Sequence, residues 1–322
     1  MPATIHNDVL IYKGSNLFRQ RLLLSTLSGR AIKIEEIRSS HDDPGLKEYE
    51  VNLIRLLDKI TNGSRVELSE TGTSMYYQPG ILIGGQVSHS CCTQRGIGAP
   101  PQGGGEIVFK CPVRRHLRPL QWATWGLVKR IRGVVYALRV SPTMANRVVE
   151  AAKGVMLKFL PDVYINTDQC RGPNAGKSPG FGISLIAETN EKTFYCAEAK
   201  SAEAGTGEIS LPEDLGRECA MKLLDEIHRA GTVDSAFQWI LALWMALGQK
   251  DVSECVVGPL SDYTIKFLQH LKEFFGVMFK LEVLRTEDDD DSSDDEEKVI
   301  TAQKIKMTCV GIGYVNISKR TH

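Results

Sequence analysis

The chain has 322 residues, 42% hydrophobic and 24% charged, so it can bury a substantial core and has room for two domains. The longest apolar stretch, residues 237–248, is too short to cross a bilayer, and no apolar run at the N-terminus resembles a secretory signal. The eight cysteines show no CxxC pair and no zinc-ligand spacing, which predicts reduced thiols and no bound metal.

The charges are unevenly distributed along the chain, although 39 basic residues balance 39 acidic ones. Residues 287–297, EDDDDSSDDEE, contain acidic but no basic side chains, so the remainder is mildly cationic and compatible with a polyanionic partner. We predict a solvated loop here, with mimicry of a phosphate backbone as the alternative. Ser292 and Ser293 are candidate phosphorylation sites.

The first part of the chain alternates strand and helix patterns. Apolar residues recur with period two in the predicted strands and at helical spacing in the predicted helices. The order is strand 8–12, helix 15–28, strand 31–37, helix 44–60, and strands 65–70 and 74–87. This pattern predicts a βαβαββ unit.

The last third of the chain repeats this pattern. The predicted elements are helices 213–229 and 234–247, strand 254–257, helix 261–275, and strands 277–284 and 304–318. We therefore predict an α/β fold whose large domain is made of residues 1–116 and 204–322.

Residues 117–203 predict a second, smaller α/β domain inserted into the first. Its helix begins with Ser141 as N-cap and Pro142 at the first helical position, and four strands surround it. Its entrance carries cations and tryptophans, which are Arg114, Arg115, Arg118, Lys129, Arg130, Arg132, Trp122 and Trp125. Such an edge either tracks an RNA backbone and stacks bases, or is a solvated hairpin whose tryptophans pack between the domains.

The segment GPNAGKSPGFG at 172–182 contains Gly-Lys-Ser, the end of a phosphate-binding P-loop. The pattern requires a glycine at position 171, where Arg171 stands, and the prolines and glycines after Ser178 exclude the helix that would follow. We therefore predict a loop that leads into a strand. Lys177 remains a candidate contact for a phosphate or an acidic partner.

Several segments resemble RNA 3'-terminal phosphate cyclases. PQGGGEI at 101–107 matches the end of that family's signature, and KGSNLFRQRLLLSTLSG, IRSSHDDPGL and KRIRG match other family segments. Four further segments resemble more closely the branch of the family that takes part in eukaryotic ribosome assembly. They are GTSMYYQPGILIGG, KSPGFGISLIAET, LPEDLG and MTCVGIGYVNISK. The resemblance covers nearly the whole chain and implies repeated βαβαββ units with a small α/β domain inserted in the last one.

The resemblance also implies which positions correspond to the cyclase active site. True cyclases adenylate a histidine with ATP, transfer AMP to an RNA 3'-phosphate and close a 2',3'-cyclic phosphate, which requires a nucleophilic imidazole and cations. Some matching positions have changed, with Tyr12 for an acidic residue, Asn16 and Tyr49 each for a glutamine, and His41 for an arginine. Gly14, Arg19 and Arg38 keep the glycine and the two arginines of the cyclase pattern.

The resemblance places the adenylated histidine near Tyr263, whose phenol cannot replace an imidazole at neutral pH because its ordinary pKa is about 10. His270 lies two helical turns further on, about 10 Å along the helix. Half an active site would remain, in which Arg19 and Arg38 hold an anion. The alternative is that both arginines form surface ion pairs.

The family has a further repeat before its triple-glycine signature, but here RGIG at 95–98 runs directly into APPQGGG. The arginine of the signature is lost, because Ile97 and Gly98 stand where Arg-Gly is expected. We predict that one repeat is missing near residues 98–99. Its neighbours should lose stability, since each exposed large apolar side chain forfeits about 1.5–3 kcal/mol.

These observations predict a ribosome assembly protein without cyclase activity. The resemblance implies a nuclear, nucleolar protein that joins the small-subunit processome and its snoRNP, binds a GTPase assembly factor, and is needed for pre-rRNA processing towards small-subunit rRNA. Direct contact with pre-rRNA is a further expectation, and neither a cofactor nor a membrane partner is expected. The first alternative is cleavage of pre-rRNA by His270, Lys272 or Asp262, and the second is cyclase activity with another nucleophile.

Overall fold

The computed structural model describes residues 9–83, 85–91, 106–111, 116–175, 178–202, 210–284 and 302–315. The helices are α1 (Phe18–Ser28), α2 (Glu48–Ile60), α3 (Pro142–Met156), α4 (Pro212–Arg229), α5 (Gln238–Leu247) and α6 (Asp262–Phe275). The strands are β1 (Leu10–Lys13), β2 (Ile32–Glu35), β3 (Thr61–Asn62), β4 (Arg65–Leu68), β5 (Met75–Gln78), β6 (Ile81–Leu82), β7 (Gln121–Trp122), β8 (Val128–Leu138), β9 (Val163–Cys170), β10 (Gly180–Thr189), β11 (Phe194–Lys200), β12 (Val252–Val257), β13 (Lys280–Leu284) and β14 (Lys304–Val310). Within these ranges no helix is long and apolar enough to span a membrane.

Two of the sheets have the same topology. The first has the order β1-β2-β5-β4 and the second the order β7-β12-β14-β13. In each sheet the first strand is parallel to the second, and the remaining pairs are antiparallel. With α1 and α2 in one unit and α5 and α6 in the other, both are βαβαββ repeats. The α/β fold with repeated units is therefore confirmed.

The small domain interrupts the second repeat between β7 and α5. Its sheet has the order β11-β10-β8-β9, and α3 and α4 pack on one side of it. The buried cluster includes Ile131 and Val135 from β8, Leu185 from β10, and Leu215 and Leu223 from α4. This cluster is separate from the core that the two repeats share.

The packing differs from the predicted bounds of 117–203 at both ends of the small domain. β7 pairs with β12, so residues 121–122 belong to a sheet of the large domain. α4, expected in the large domain, packs closely on α3, because a Cβ at Gly216 would lie 2.5 Å from the carbonyl oxygen of Val148. Helical periodicity shows which face of α4 is apolar but not which sheet covers that face.

Helix α2 begins later than the sequence predicts. The prediction started it at Pro44, but the helix starts at Glu48 with Lys47 as N-cap. Gly45 prevents the earlier start, because its φ of +84° lies in the left-handed region and a Cβ there would come 2.4 Å from the carbonyl oxygen of Thr71. Proline followed by glycine marks a turn here, not the first turn of a helix.

The segment after Arg171 is a loop that leads into a strand, as predicted. A 3₁₀ turn spans Gly172–Ala175, and β10 begins at Gly180, where a P-loop would continue as a helix. The acidic run 287–297, with Ser292 and Ser293, and the predicted junction at residues 98–99 lie outside the described residues.

Candidate functional site

A cavity of about 950 Å³ lies between the two repeats, where the N-terminal ends of α1, α2, α5 and α6 meet. Its walls include Asn16 and Arg19 near the start of α1, Tyr49 in the first turn of α2, Trp239 in the first turn of α5, and Tyr263 in the first turn of α6. Helix N-termini carry a partial positive charge and free N–H groups, so the cavity favours an anion. The structure thus brings together four positions that the resemblance indicated, three in the first repeat and Tyr263 in the second. Trp239 is an additional member of the wall.

Tyr263 faces this cavity and is 36% exposed. Ser261 caps α6, because its hydroxyl accepts the N–H of Thr264 at 3.3 Å, and this cap fixes the first turn that carries Tyr263. The phenol ring meets Trp239 edge to face, with ring centroids 5.9 Å apart. At this position the cavity therefore holds a phenol, which packs against an indole, and no imidazole.

His270 is buried on the inner face of α6 and does not line the cavity. Its Nδ1 donates to Oε1 of buried Gln20 at 3.0 Å, while the amide nitrogen of Gln20 donates to the carbonyl oxygen of Tyr263 at 3.2 Å. Burial lowers the pKa of His270 below its ordinary value, with Arg21 and Lys266 acting in the same direction. A buried, neutral imidazole in this position supports the packing of α6 and cannot reach an anion in the cavity.

The three side chains considered for RNA cleavage do not form a constellation. Asp262 and Lys272 are exposed near opposite ends of α6, about 15 Å apart along the helix. His270 lies between them on the buried face. No pair of them is placed to act as acid and base on one phosphate, so the geometry does not support the cleavage alternative.

Arg38 lines the cavity, but its guanidinium group is already used. It donates to both carboxylate oxygens of Glu50, at 2.6 and 2.8 Å, and to the carbonyl oxygen of Gly45 at 2.9 Å. The pair is largely buried, with side-chain exposures of 15% for Arg38 and 6% for Glu50. This is an internal ion pair, which differs both from an anion ligand and from the surface pair considered as the alternative.

Arg19 is the cation that this cavity offers to a ligand. Its side chain is exposed, and within the described part of the chain no carboxylate forms an ion pair with it. Gly14 precedes it with a φ of +71°, and its carbonyl oxygen accepts Nη1 of Arg21 at 2.9 Å. The turn that leads into α1 is therefore held from inside, which leaves Arg19 and Asn16 facing the cavity.

Tyr12 lies beside the buried network and does not line the cavity. Its hydroxyl donates to Oε2 of Glu273 at 2.6 Å, and its ring stacks on Phe274 with centroids 6.2 Å apart. Burial, followed by the contact with Glu273, raises the pKa of Tyr12 well above its usual range. Tyr12 therefore stays neutral. At the position where the resemblance expects an acidic residue, its contacts connect β1 to α6.

Two family models match this chain. One describes RNA 3'-terminal phosphate cyclase and matches residues 10–97, and the other describes the insert domain of that protein and matches residues 123–228. RNA 3'-terminal phosphate cyclase-like proteins of Drosophila melanogaster and Homo sapiens are 48% and 46% identical. The alignments cover 99% of this chain and 99% of the fly protein, and 96% of this chain and 97% of the human protein.

The chain belongs to the RNA 3'-terminal phosphate cyclase family.

Further relatives carry related names. A protein of Schizosaccharomyces pombe named rRNA processing protein rcl1 is 36% identical over 96% of this chain and 97% of its own length. The match to the insert domain begins directly after β7 and ends within α4, which agrees with the packing. The alignment with the fly protein runs over 384 residues, more than the 322 of this chain, so part of that family member has no counterpart here.

Three cations of the basic edge of the small domain are paired with acids. Lys129 and Arg130 both contact Glu188, at 2.8 and 2.5 Å, and Arg132 contacts Asp162 at 2.8 Å. Trp122 belongs to a sheet of the large domain, whereas Trp125 lies where the two domains meet, since its carbonyl oxygen accepts the hydroxyl of Thr193 and its ring faces Lys304. Trp122 packs on the large core, and the ring of Trp125 lies 5.8 Å from Nζ of Lys304.

Other predicted positions fall outside this arrangement. His41 is exposed and does not line the cavity, and its backbone N–H donates to the carbonyl oxygen of Arg38 at 3.1 Å. Arg114, Arg115 and Lys177 lie outside the described residues. In the described ranges no cluster of three His, Cys, Asp or Glu side chains could hold a metal ion.

Sequence reasoning missed Trp239 and Gln20, which support the cavity from the second repeat and from inside α1. The duplication of the βαβαββ unit was the available signal. Tyr49 and Tyr263 each occupy the second position of the second helix in their repeat. Comparing the repeats would have placed both in one cavity and would have indicated that the start of α5, with Trp239, mirrors the start of α1.

Proposed function

We propose that this chain acts in rRNA processing as a binding protein of ribosome assembly and carries out no cyclase reaction. The observation that supports this most strongly is Tyr263, which faces the cavity at the position that the resemblance assigns to the adenylated histidine. His270 cannot substitute, because it is buried and bonded to Gln20. The cavity retains anion-binding features without a covalent catalyst.

The processing role itself is inferred from relatives. The Schizosaccharomyces pombe relative is named an rRNA processing protein, and the two animal relatives are named cyclase-like. We extend this to a nucleolar protein of the small-subunit processome that binds a GTPase assembly factor and acts towards small-subunit rRNA. The resemblance to the ribosome assembly branch supports these finer points.

The partners can be tested by affinity purification of the tagged full chain from a nuclear extract. We expect co-recovery of a GTPase assembly factor, processome proteins and snoRNA, in amounts that Tyr263→Phe does not change. Loss of the hydroxyl leaves the ring contact with Trp239 and the bond from Gln20 to the backbone of Tyr263 in place. Purification without processome proteins or snoRNA would contradict the proposal.

A further inference from the structure

Among the residues that the structure describes, helices cover the sheet of the small domain on one side only. Side chains of β8–β11 that alternate with the buried ones point away from α3 and α4, and we call this surface the open face. Five large apolar side chains on it are 37–66% exposed, which are Val134, Tyr136, Tyr164, Ile186 and Phe194. Exposed apolar side chains that share one sheet face indicate a binding surface more strongly than scattered ones do.

The strand register places these side chains in rows. Tyr164, Arg132, Ile186 and Cys196 form one row across the four strands. Arg130, Glu188 and Phe194 form the neighbouring row. Tyr164 and Phe194 therefore lie on the two outer strands, in the same half of the sheet. Three interstrand spacings and one row separate them, which corresponds to about 16 Å.

This half of the open face is also its cationic half. Lys129 and Arg130 share the single carboxylate of Glu188, and Arg132 pairs with Asp162, so three cations meet two carboxylates. The Arg132 pair is 41% and 47% exposed, and exposed ion pairs exchange readily for other anions. The guanidinium carbon of Arg132 also lies 5.5 Å from the centre of the Tyr164 ring.

The opposite half of the face carries two carboxylates and one ammonium group, because exposed Lys200 pairs in register with Gly182 in the row of Tyr136. Asp168 pairs in register with Tyr136, and Glu198 with Ser184. Both carboxylates are exposed, and among the described residues neither forms an ion pair. The ring of Tyr136 lies across Gly182, but beside these carboxylates it is a poor platform for a polyanion.

We propose that the cationic half of the open face binds single-stranded RNA, with the rings of Tyr164 and Phe194 stacking on bases while Arg130 and Arg132 contact phosphates. Exposed aromatic rings on a four-stranded sheet suit bases that are not paired, since every base has a stacking face. The carboxylates of Asp168 and Glu198, offset in part by Lys200, disfavour phosphates on the opposite half and favour binding along the two rows defined above. RNA as partner rests on the proposed function, but this site is separate from the cavity between the repeats.

The test uses the purified full chain and a short fluorescein-labelled oligouridylate, with binding followed by fluorescence anisotropy. We expect Tyr164→Ala and Phe194→Ala each to weaken binding about tenfold. Arg130→Gln and Arg132→Gln should each reduce the slope of log affinity against log salt by about 0.7. Glu198→Gln should tighten binding, because it removes a repelling charge.

Met221→Ala is the matched control, because this side chain is 53% exposed on α4, behind the sheet. It should leave RNA affinity unchanged, and thermal unfolding of each variant should match the wild type. RNA binding that survives the double variant Tyr164→Ala/Phe194→Ala would place the RNA elsewhere and overturn the proposal. Absence of RNA binding, with loss of a protein from the affinity purification of that double variant, would assign the face to a protein partner. These outcomes concern the open face alone, so a failure here is distinct from a failure of the role in rRNA processing.

Discussion

Arg38 and Glu50 form a two-point ion pair at the edge of the cavity between the repeats, with Nη2–Oε1 and Nη1–Oε2 distances of 2.6 and 2.8 Å. Glu50 also accepts the backbone N–H of Lys47 at 2.9 Å, so the pair connects the Arg38 loop to the first turn of α2. Arg38 is thus a structural residue here. Of the two arginines kept from the cyclase pattern, Arg19 alone faces the cavity without an acidic partner among the described residues.

Arg38→Ala should strongly destabilise the protein. It leaves the carboxylate of Glu50, 6% exposed, without its cation, and breaking a buried pair costs about 3–5 kcal/mol. Arg65→Ala is the control, because Arg65 pairs with Glu67 at a site that is 69% and 53% exposed. That change should cost less than about 1 kcal/mol. Urea unfolding of both variants measures the difference, and equal losses would show that Arg38 and Glu50 do not act as a buried pair.

His270 should make the stability depend on pH. Its pKa is lowered in the folded protein, so between that value and about 6.5 the unfolded chain binds a proton that the folded chain does not. This contribution is complete above pH 6.5 and is lost as the pH falls from there through the folded pKa. The titratable groups among the described residues that face the imidazole are Tyr12, Glu273, Arg21 and Lys266.

The measurement is the free energy of unfolding between pH 7.5 and pH 5.5 for the wild type and for His270→Gln. We expect the variant to be less stable at pH 7.5 but to lose less stability on acidification. His228→Gln replaces an exposed histidine and should keep the wild-type slope. If His270→Gln and wild type lose stability in parallel, the imidazole is not held neutral by burial.

Tyr263→His should not restore cyclase chemistry. An imidazole would then face the cavity, but Tyr12 would still stand for the acidic residue of the cyclases and Arg38 would still be bonded to Glu50. Incubation with ATP and intact-protein mass spectrometry should therefore show no AMP adduct for the wild type or the variant. An adduct mapped to residue 263 would show that the nucleophile is the single missing part.

The sequence predicts more of the fold than of the site. Periodicity predicted both βαβαββ units, because each apolar face follows from local spacing. It did not predict that α4 covers the small sheet, because the helical spacing of Leu215 and Leu223 is the same whichever sheet they contact. At the site, Tyr263 could be found by resemblance, but the Arg38–Glu50 pair and the Gln20–His270 bond join residues that only folding brings together.

Restoring the predicted missing repeat should stabilise the chain. Large apolar side chains are exposed on both sides of the junction, with Ile81 at 64% and Phe109 at 85%. Each that becomes buried contributes about 1.5–3 kcal/mol. A chain that carries the corresponding segment of the fly relative should melt at a higher temperature and bind less of the dye ANS. A melt of the 322-residue chain that is equally steep and equally high would contradict the missing repeat.

The most direct test of the central claim is pulse labelling of rRNA in cells that rely on this chain. The endogenous relative is depleted and replaced by the wild-type chain or by Tyr263→Phe, which keeps the ring beside Trp239 and removes the hydroxyl. We predict that depletion reduces mature small-subunit rRNA and that both chains restore it equally. Normal processing after depletion, or a folded Tyr263→Phe chain that fails where the wild type succeeds, would contradict a role in rRNA processing without chemistry at this site.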